Sequence, residues 1–120
     1  MHIRMLRAKL HRAVVTSGAI DYHGSITIDS ALLDAVGLLP YEVVLLGNLS
    51  TGQRAETYVI KAPPGSGVVQ ANGAIARLAS PGDRLIIMSF AYLEPSEVAG
   101  HKPKVAILDD RNRIVEQWEG

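Results

Sequence analysis

The chain has 120 residues, of which 48% are apolar and 20% charged, a length and composition that suit one globular domain over residues 1–120. There is no cysteine, which excludes disulfides. Twelve basic side chains balance twelve acidic ones, so the chain lacks the excess of positive charge typical of a nucleic-acid-binding protein. No apolar run is long enough to cross a bilayer, and the N-terminus has no apolar core of signal-peptide length, so we expect a cytoplasmic protein without a membrane partner.

The first predicted element is a strand near the N-terminus. The run MLRAKLHRAVVT, residues 5–16, alternates roughly between apolar and polar side chains, as a strand does. A regular strand would place Lys9 and His11 on one face and Leu10 and Arg12 on the other.

The next stretch, SGAIDYHGSITI at residues 17–28, predicts a turn, a strand, a break and another strand. The break is the pair Gly24-Ser25. Glycine in a strand pattern usually marks a bulge, a bend or a place where backbone approaches closely, so the pair is either a plain structural corner or a site at which the backbone itself reacts.

The segment DSALLDAVGLLP, residues 29–40, gives the clearest helix signal. Asp29 or Ser30 can accept hydrogen bonds from the first-turn amides, and Gly37 is placed to end the helix in a left-handed conformation. The expected apolar stripe consists of Leu32, Leu33 and Val36.

Beyond this helix, glycines and prolines separate apolar runs rich in Val and Ile, a pattern typical of many short strands in a barrel or sandwich. Residues 42–62 predict two strands around a turn at Ser50-Thr51-Gly52, and residues 62–67 a rigid loop. Residues 68–93 predict a strand, an Asn72-Gly73 turn, one helical turn, a Pro81-Gly82-Asp83 turn and a long strand. Residues 104–118 predict a last hairpin around Asp109 to Asn112.

Three common kinds of site lack their motifs. No two of the four histidines have the close spacing of a metal motif, so we expect no metal. The Gly65-Ser66-Gly67 run lacks the rest of a phosphate-binding fingerprint, and no Gly-x-Ser-x-Gly elbow is present. What remains is a set of polar residues between or within strands: Lys9, His11, Arg12, Tyr22, Ser25, Arg54, Thr57, Tyr58 and Asn72.

Five motifs in this chain resemble, in order and spacing, those of the pyruvoyl-dependent aspartate 1-decarboxylase family. They are KLHRAVVT, YHGSITID, GQRAETYVI, GSGVVQANGAIA and PGDRLII, and the similarity runs from about residue 3 to residue 108. The resemblance implies a mainly β fold, a double-psi β-barrel with short helices, assembled as a homotetramer with active sites at subunit interfaces. It also implies decarboxylation of L-aspartate to β-alanine and CO2 for pantothenate and coenzyme A biosynthesis.

The resemblance gives Gly24-Ser25 a chemical role. In this family the Ser25 hydroxyl would attack the Gly24 carbonyl, and the resulting ester would undergo β-elimination and hydrolysis to a pyruvoyl group. The products would be residues 1–24 and residues 25–120. Gly24 is expected because a side chain would block the strained backbone approach, and Thr57 because its hydroxyl can donate to the developing oxyanion.

The pyruvoyl group would then form a Schiff base with the amine of aspartate and accept electrons as the α-carboxylate leaves. By resemblance, Arg54 and Lys9 would bind the substrate carboxylates, and Tyr58 would return the proton. Further substrate contacts would come from Thr57, Asn72, Gly73 and Ala74. The neighbourhood of the site would include His11, Arg12 and Tyr22.

Two alternatives stay open: a pyruvoyl decarboxylase of another acidic amino acid, and a non-catalytic double-psi barrel that serves as a binding module. The sequence also poses a geometric problem. Thr57 and Tyr58 are adjacent, and adjacent residues of a regular strand point to opposite faces. Both can serve one site only if the strand is distorted or if the site lies between two protomers.

Overall fold

The computed structural model describes all 120 residues, and the protein is built mainly from nine β-strands. The strands are β1 (Ile3–Val14), β2 (Ser17–Ala19), β3 (Ser25–Asp29), β4 (Val43–Asn48), β5 (Arg54–Ala62), β6 (Val69–Asn72), β7 (Arg84–Leu93), β8 (Lys104–Leu108) and β9 (Ile114–Glu119). One α-helix, α1 (Ser30–Val36), and two 3₁₀ helices, Gly73–Arg77 and Pro95–Gly100, complete the fold. No helix is long and apolar enough to cross a membrane.

The strands form one sheet with the order β2-β6-β3-β5-β4-β7-β1-β8-β9. Three neighbouring pairs are parallel, namely β1 with β8, β2 with β6 and β3 with β5, and the other pairs are antiparallel. Parallel neighbours require crossover connections, so the chain is not a simple series of hairpins. The mainly β prediction is confirmed, and the mixed pairing fits the double-psi β-barrel with short helices that the resemblance implies.

Helix α1 forms as its sequence predicts. The Asp29 side chain caps it by accepting a hydrogen bond from the Ala31 amide at 2.8 Å, and Gly37 ends it with φ 75°. The apolar stripe faces the core: Leu32, Leu33 and Val36 are almost fully buried. The turns predicted at residues 50–52 and 81–83 and the final hairpin are confirmed as well. The turn predicted at the start of residues 17–28 is wrong, since strand β2 begins there and the turn follows it. The 3₁₀ helix Pro95–Gly100 was not predicted.

Strand β1 departs from the predicted alternation because it contains two bulges. Its register with β7 shifts between Leu6 and Ala8 and again between His11 and Ala13. Arg12, at the second shift, has φ 71° and is exposed, whereas Leu10 is fully buried. The prediction that Arg12 shares the face of Leu10 is therefore wrong, since the extra residue of a bulge interrupts the two-residue period.

Buried polar side chains tie the loop before β6 to the rest of the domain. The Asp29 carboxylate accepts hydrogen bonds from the Gly65 and Gly67 amides at 3.0 and 2.9 Å, in addition to its capping bond. Asn112, from the last hairpin, donates to the carbonyl oxygens of Gly67 and Val14, at 2.9 Å each. Both buried side chains are thereby satisfied, as a stable core requires.

Replacing Asp29 with alanine should destabilise the domain strongly. The change leaves three backbone amides without their acceptor, and we expect it to lower the free energy of unfolding by about 2–4 kcal/mol. The matched control is Asp34→Ala, on the exposed side of the same helix, with an expected change within about 0.5 kcal/mol. Urea unfolding followed by circular dichroism measures both, and equal losses in the two variants would contradict this role for Asp29.

Candidate functional site

The peptide bond between Gly24 and Ser25 lies where the chain passes from the surface into the core. Tyr22, His23 and Gly24 are exposed, whereas Ser25, the first residue of β3, has no exposed surface. The Ser25 hydroxyl accepts a hydrogen bond from Asn72 Nδ2 at 2.9 Å and donates one to the His23 carbonyl oxygen at 3.1 Å. This hydroxyl is thus shielded from water and fixed beside the peptide bond that precedes it.

Asn72 reaches Ser25 because β3 and β6 are antiparallel and pair these two residues directly. Paired residues project to the same face of a sheet, and Asn72 is fully buried there. Its second amide hydrogen goes to Thr27 Oγ1 at 2.9 Å, and its Oδ1 accepts from Gln70 Nε2 at 2.7 Å. The Asn72 side-chain amide is therefore fully engaged and held toward Ser25.

Sequence reasoning identified Asn72 but missed the residues that hold it. Thr27 and Gln70 contact its amide directly, and Ser17 donates from its Oγ to Gln70 Oε1 at 3.0 Å. Alternation alone puts residues 70 and 72 on one face of β6, and residues 25 and 27 on one face of β3. The missing information was that β6 lies between β2 and β3.

The backbone of Gly73 packs directly against Gly24. Gly73 has φ 63°, and a Cβ atom added to it would lie 2.8 Å from Gly24 Cα and 2.9 Å from Gly24 N. A Cβ added to Gly24 would meet nothing within 4 Å, and Gly24 does not have a positive φ. The expectation that a side chain at residue 24 would be blocked is wrong, since the steric requirement for glycine falls on Gly73.

Tyr58 is the residue of β5 nearest in register to Ser25. Strands β3 and β5 are parallel and pair Ile26 with Val59, so the preceding residues, Ser25 and Tyr58, are level and project to the same face. The Tyr58 ring stacks on Tyr41, with centroids 6.2 Å apart and an angle of 28° between the planes. The phenol is thus held at the end of β3 at which Ser25 lies.

Thr57 projects to the opposite face of β5 from Tyr58. Their antiparallel partners on β4 are Val44, which is 1% exposed, and Val43, which is 59% exposed. The β4–β5 register has no shift, so the strand is regular and each pair shares a face. Strand distortion is therefore not the way in which Thr57 and Tyr58 could serve one site.

The two predicted carboxylate-binding cations make no hydrogen bond with Ser25 within one chain. Arg54 is exposed on the same face of β5 as Tyr58, but the four-residue separation places it about 13 Å along the strand. Lys9 lies on β1, which β5, β4 and β7 separate from β3 in the sheet order. Neither side chain makes a hydrogen bond or ion pair with the residues around Ser25.

The remaining residues of the predicted neighbourhood lie in two places. Burial, together with the positive charges of Lys9 and Arg12, lowers the pKa of His11, which favours a neutral imidazole, and its Nδ1 is buried without a partner. Tyr22 lies in the exposed loop before Ser25, edge-on to His23 at 5.7 Å between ring centroids.

No group of three or more His, Asp or Glu side chains could hold a metal ion.

Comparison with known proteins gives a consistent result over nearly the whole chain. A family model described as aspartate decarboxylase matches residues 1–115. The chain is 55% identical over 116 residues to the aspartate 1-decarboxylase of Shouchella clausii, covering 97% of this chain and 91% of that protein. It is 51% identical over 114 residues to the aspartate 1-decarboxylase of Bacillus subtilis, covering 95% and 90% of the two chains.

A methyl group at residue 73 should disturb the site more than one at residue 24. In a Ser25→Ala background, which keeps the backbone intact, Gly73→Ala should lower the free energy of unfolding by about 2–4 kcal/mol, because of the left-handed φ and the contact with Gly24. Gly24→Ala in the same background should change it by less than about 1 kcal/mol. Urea unfolding at matched protein concentration compares them. A larger loss for Gly24→Ala would show that the close packing has been assigned to the wrong glycine.

Proposed function

The chain belongs to the aspartate decarboxylase family, and from that premise we propose that it cuts its own backbone between Gly24 and Ser25 and then decarboxylates L-aspartate to β-alanine and CO2. The β-alanine would serve pantothenate and coenzyme A biosynthesis. The observation that best supports the proposal is the buried Ser25 hydroxyl, held by Asn72 beside a peptide bond whose other residue packs against Gly73.

Self-cleavage begins with attack of Ser25 Oγ on the Gly24 carbonyl carbon. A carbon–oxygen bond forms, the peptide carbon–nitrogen bond breaks, and the hydroxyl proton is transferred to the departing nitrogen, which leaves an ester. The Asn72 N–H that points at Oγ stabilises negative charge on this oxygen as its proton leaves. The close packing of Gly24 on Gly73 limits the positions that the reacting carbonyl can take.

The ester then loses the Ser25 α-proton, and its bond from Cβ to oxygen breaks. This elimination releases residues 1–24 with a Gly24 carboxylate and leaves dehydroalanine at residue 25. Water replaces its nitrogen as ammonia, and residues 25–120 then begin with a pyruvoyl group. The buried position of Ser25 suits this group, because a carbonyl formed there can accept the same hydrogen bond from Asn72 that the hydroxyl accepts.

The pyruvoyl group, once formed, supplies a carbonyl that binds the substrate amine and withdraws electrons as the α-carboxylate leaves. In this proposal the Arg54 guanidinium binds one carboxylate of aspartate through two parallel hydrogen bonds, and Lys9 adds a second positive charge. The Tyr58 phenol returns a proton to the substrate α-carbon. Asn72, Gly73 and Ala74 border the substrate on the Ser25 side.

The complete site is proposed to lie between subunits of a homotetramer. Within one chain, Lys9 and Arg54 make no hydrogen bond with Ser25. Thr57 and Tyr58 project to opposite faces of a regular strand. A neighbouring subunit can bring the cations to Ser25, and a strand at an interface can use both of its faces. In this proposal His11, Arg12 and Tyr22 lie near the site, without an assigned step in the reaction.

Removal of the Tyr58 hydroxyl should separate the two reactions. We expect Tyr58→Phe to cleave itself as the wild-type chain does but to lose about 100-fold or more in kcat, because the proton donor is gone. Tyr41→Phe, which keeps the stacked ring and lies beside Tyr58, is the matched control and should turn over normally. Ser25→Ala should neither cleave nor turn over.

Denaturing mass spectrometry follows the cleavage, and β-alanine formation from aspartate follows turnover. Full activity of Tyr58→Phe would exclude Tyr58 as the proton donor. Turnover of aspartate by an uncleaved Ser25→Ala chain would overturn the proposed function as a whole.

A further inference from the structure

A line of hydrogen bonds connects Ser25 to two side chains that have no place in the chemistry described so far. Ser17 Oγ on β2 donates to Gln70 Oε1 on β6 at 3.0 Å, and Gln70 Nε2 donates to Asn72 Oδ1 at 2.7 Å. Asn72 Nδ2 donates to Ser25 Oγ, which in turn donates to the His23 carbonyl oxygen. All four bonds run in one direction, from β2 toward the Gly24–Ser25 peptide bond.

The direction of this line is a chemical choice, because hydroxyl and amide groups can each donate or accept. In the reverse direction Ser25 would donate to Asn72 Oδ1, Asn72 would donate to Gln70 Oε1, and Gln70 would donate to Ser17. No N–H would then reach Ser25 Oγ. In the observed direction Gln70 Nε2, which can only donate, occupies the Asn72 oxygen and leaves the Asn72 N–H groups to face Ser25 and Thr27.

We propose that Gln70 and Ser17 are positioning residues for Ser25. Gln70 keeps the Asn72 amide turned with its N–H toward Ser25 Oγ, and Ser17 keeps Gln70 turned with its N–H toward Asn72. With this orientation the hydroxyl oxygen receives a hydrogen bond that favours loss of its proton, whereas the reverse orientation would hold that proton in place. The proposal rests on the proposed self-cleavage and identifies what sets its rate.

The decisive variant is Gln70→Glu, which keeps the shape of the side chain. While the introduced carboxylate is ionised, residue 70 has no side-chain hydrogen-bond donor. The Asn72 amide group is then expected to rotate by about 180° and donate to the introduced carboxylate. Self-cleavage should slow by about tenfold or more at neutral pH. Gln117→Glu adds the same charge on the exposed strand β9 and should cleave at the wild-type rate. Chains made by cell-free synthesis and sampled over time by denaturing mass spectrometry give the rates.

Acid should restore the Gln70→Glu variant, an effect that a loss of side-chain packing alone would not produce. A protonated carboxyl can donate to Asn72 Oδ1 through one oxygen and accept from Ser17 through the other. The cleavage rate of the variant divided by that of the wild type should therefore rise as the pH falls. The ionisable side chains on the adjoining segments, Asp21, His23, Asp29 and Arg77, are common to both proteins and cancel in this ratio.

Ser17 provides an independent pair of variants. Ser17→Thr keeps the donating hydroxyl and should cleave as the wild type does, whereas Ser17→Ala should slow cleavage several-fold. The role of Gln70 would be overturned if the Gln70→Glu variant cleaved at the wild-type rate, or if it were slowed equally at every pH. In either case, cleavage of the wild-type chain would leave the proposed function intact. If the wild-type chain stays uncleaved, the proposed function fails and the inference fails with it.

Discussion

The antiparallel pairing of β3 with β6 determines the geometry around the Gly24–Ser25 peptide bond. It sets Asn72 opposite Ser25, and the next residue, Gly73, then falls against Gly24. The buried face of the two strands fixes this register: Ile26 pairs with Ala71, and both are fully inaccessible to solvent. A slip of one residue would turn the apolar side chains of one strand out of the core, so the packing energy of the core also maintains the contact between a hydroxyl and an amide.

The loop that leads into β6 is restrained by charge and hydrogen bonding rather than by apolar packing. Asp29, at the end of β3, binds the amides of Gly65 and Gly67, and Asn112 binds the Gly67 carbonyl from the other side. Strand β6, which ends at Asn72, is thus held to strand β3, which begins at Ser25. Self-cleavage needs a reacting group fixed to within a fraction of an ångström, and these contacts limit the freedom of both strands.

The sequence was sufficient for the local elements and for the family, but not for contacts that depend on strand order. Alternation and turn residues located nearly every strand, and Asp29 and Gly37 marked the ends of α1. The bulge at Arg12 was missed because nothing in the local pattern shows where a strand gains an extra residue. The need for glycine was assigned to Gly24 rather than Gly73, and Ser17 and Gln70 were overlooked, because these contacts follow only from the position of β6 between β2 and β3. The position of Lys9 relative to Ser25 also depends on strand order, whereas that of Arg54 follows from its four-residue distance from Tyr58 along β5.

Denaturing mass spectrometry of the purified, incubated chain shows whether this fold makes the Gly24–Ser25 bond cleave itself. Two pieces, residues 1–24 and residues 25–120, are expected, and the larger piece should have the mass of a pyruvoyl terminus and resist N-terminal sequencing. Ser25→Ala should remain a single chain of 120 residues. A wild-type chain that stays intact, or a larger piece that begins with serine, would show that Ser25 does not become a pyruvoyl group.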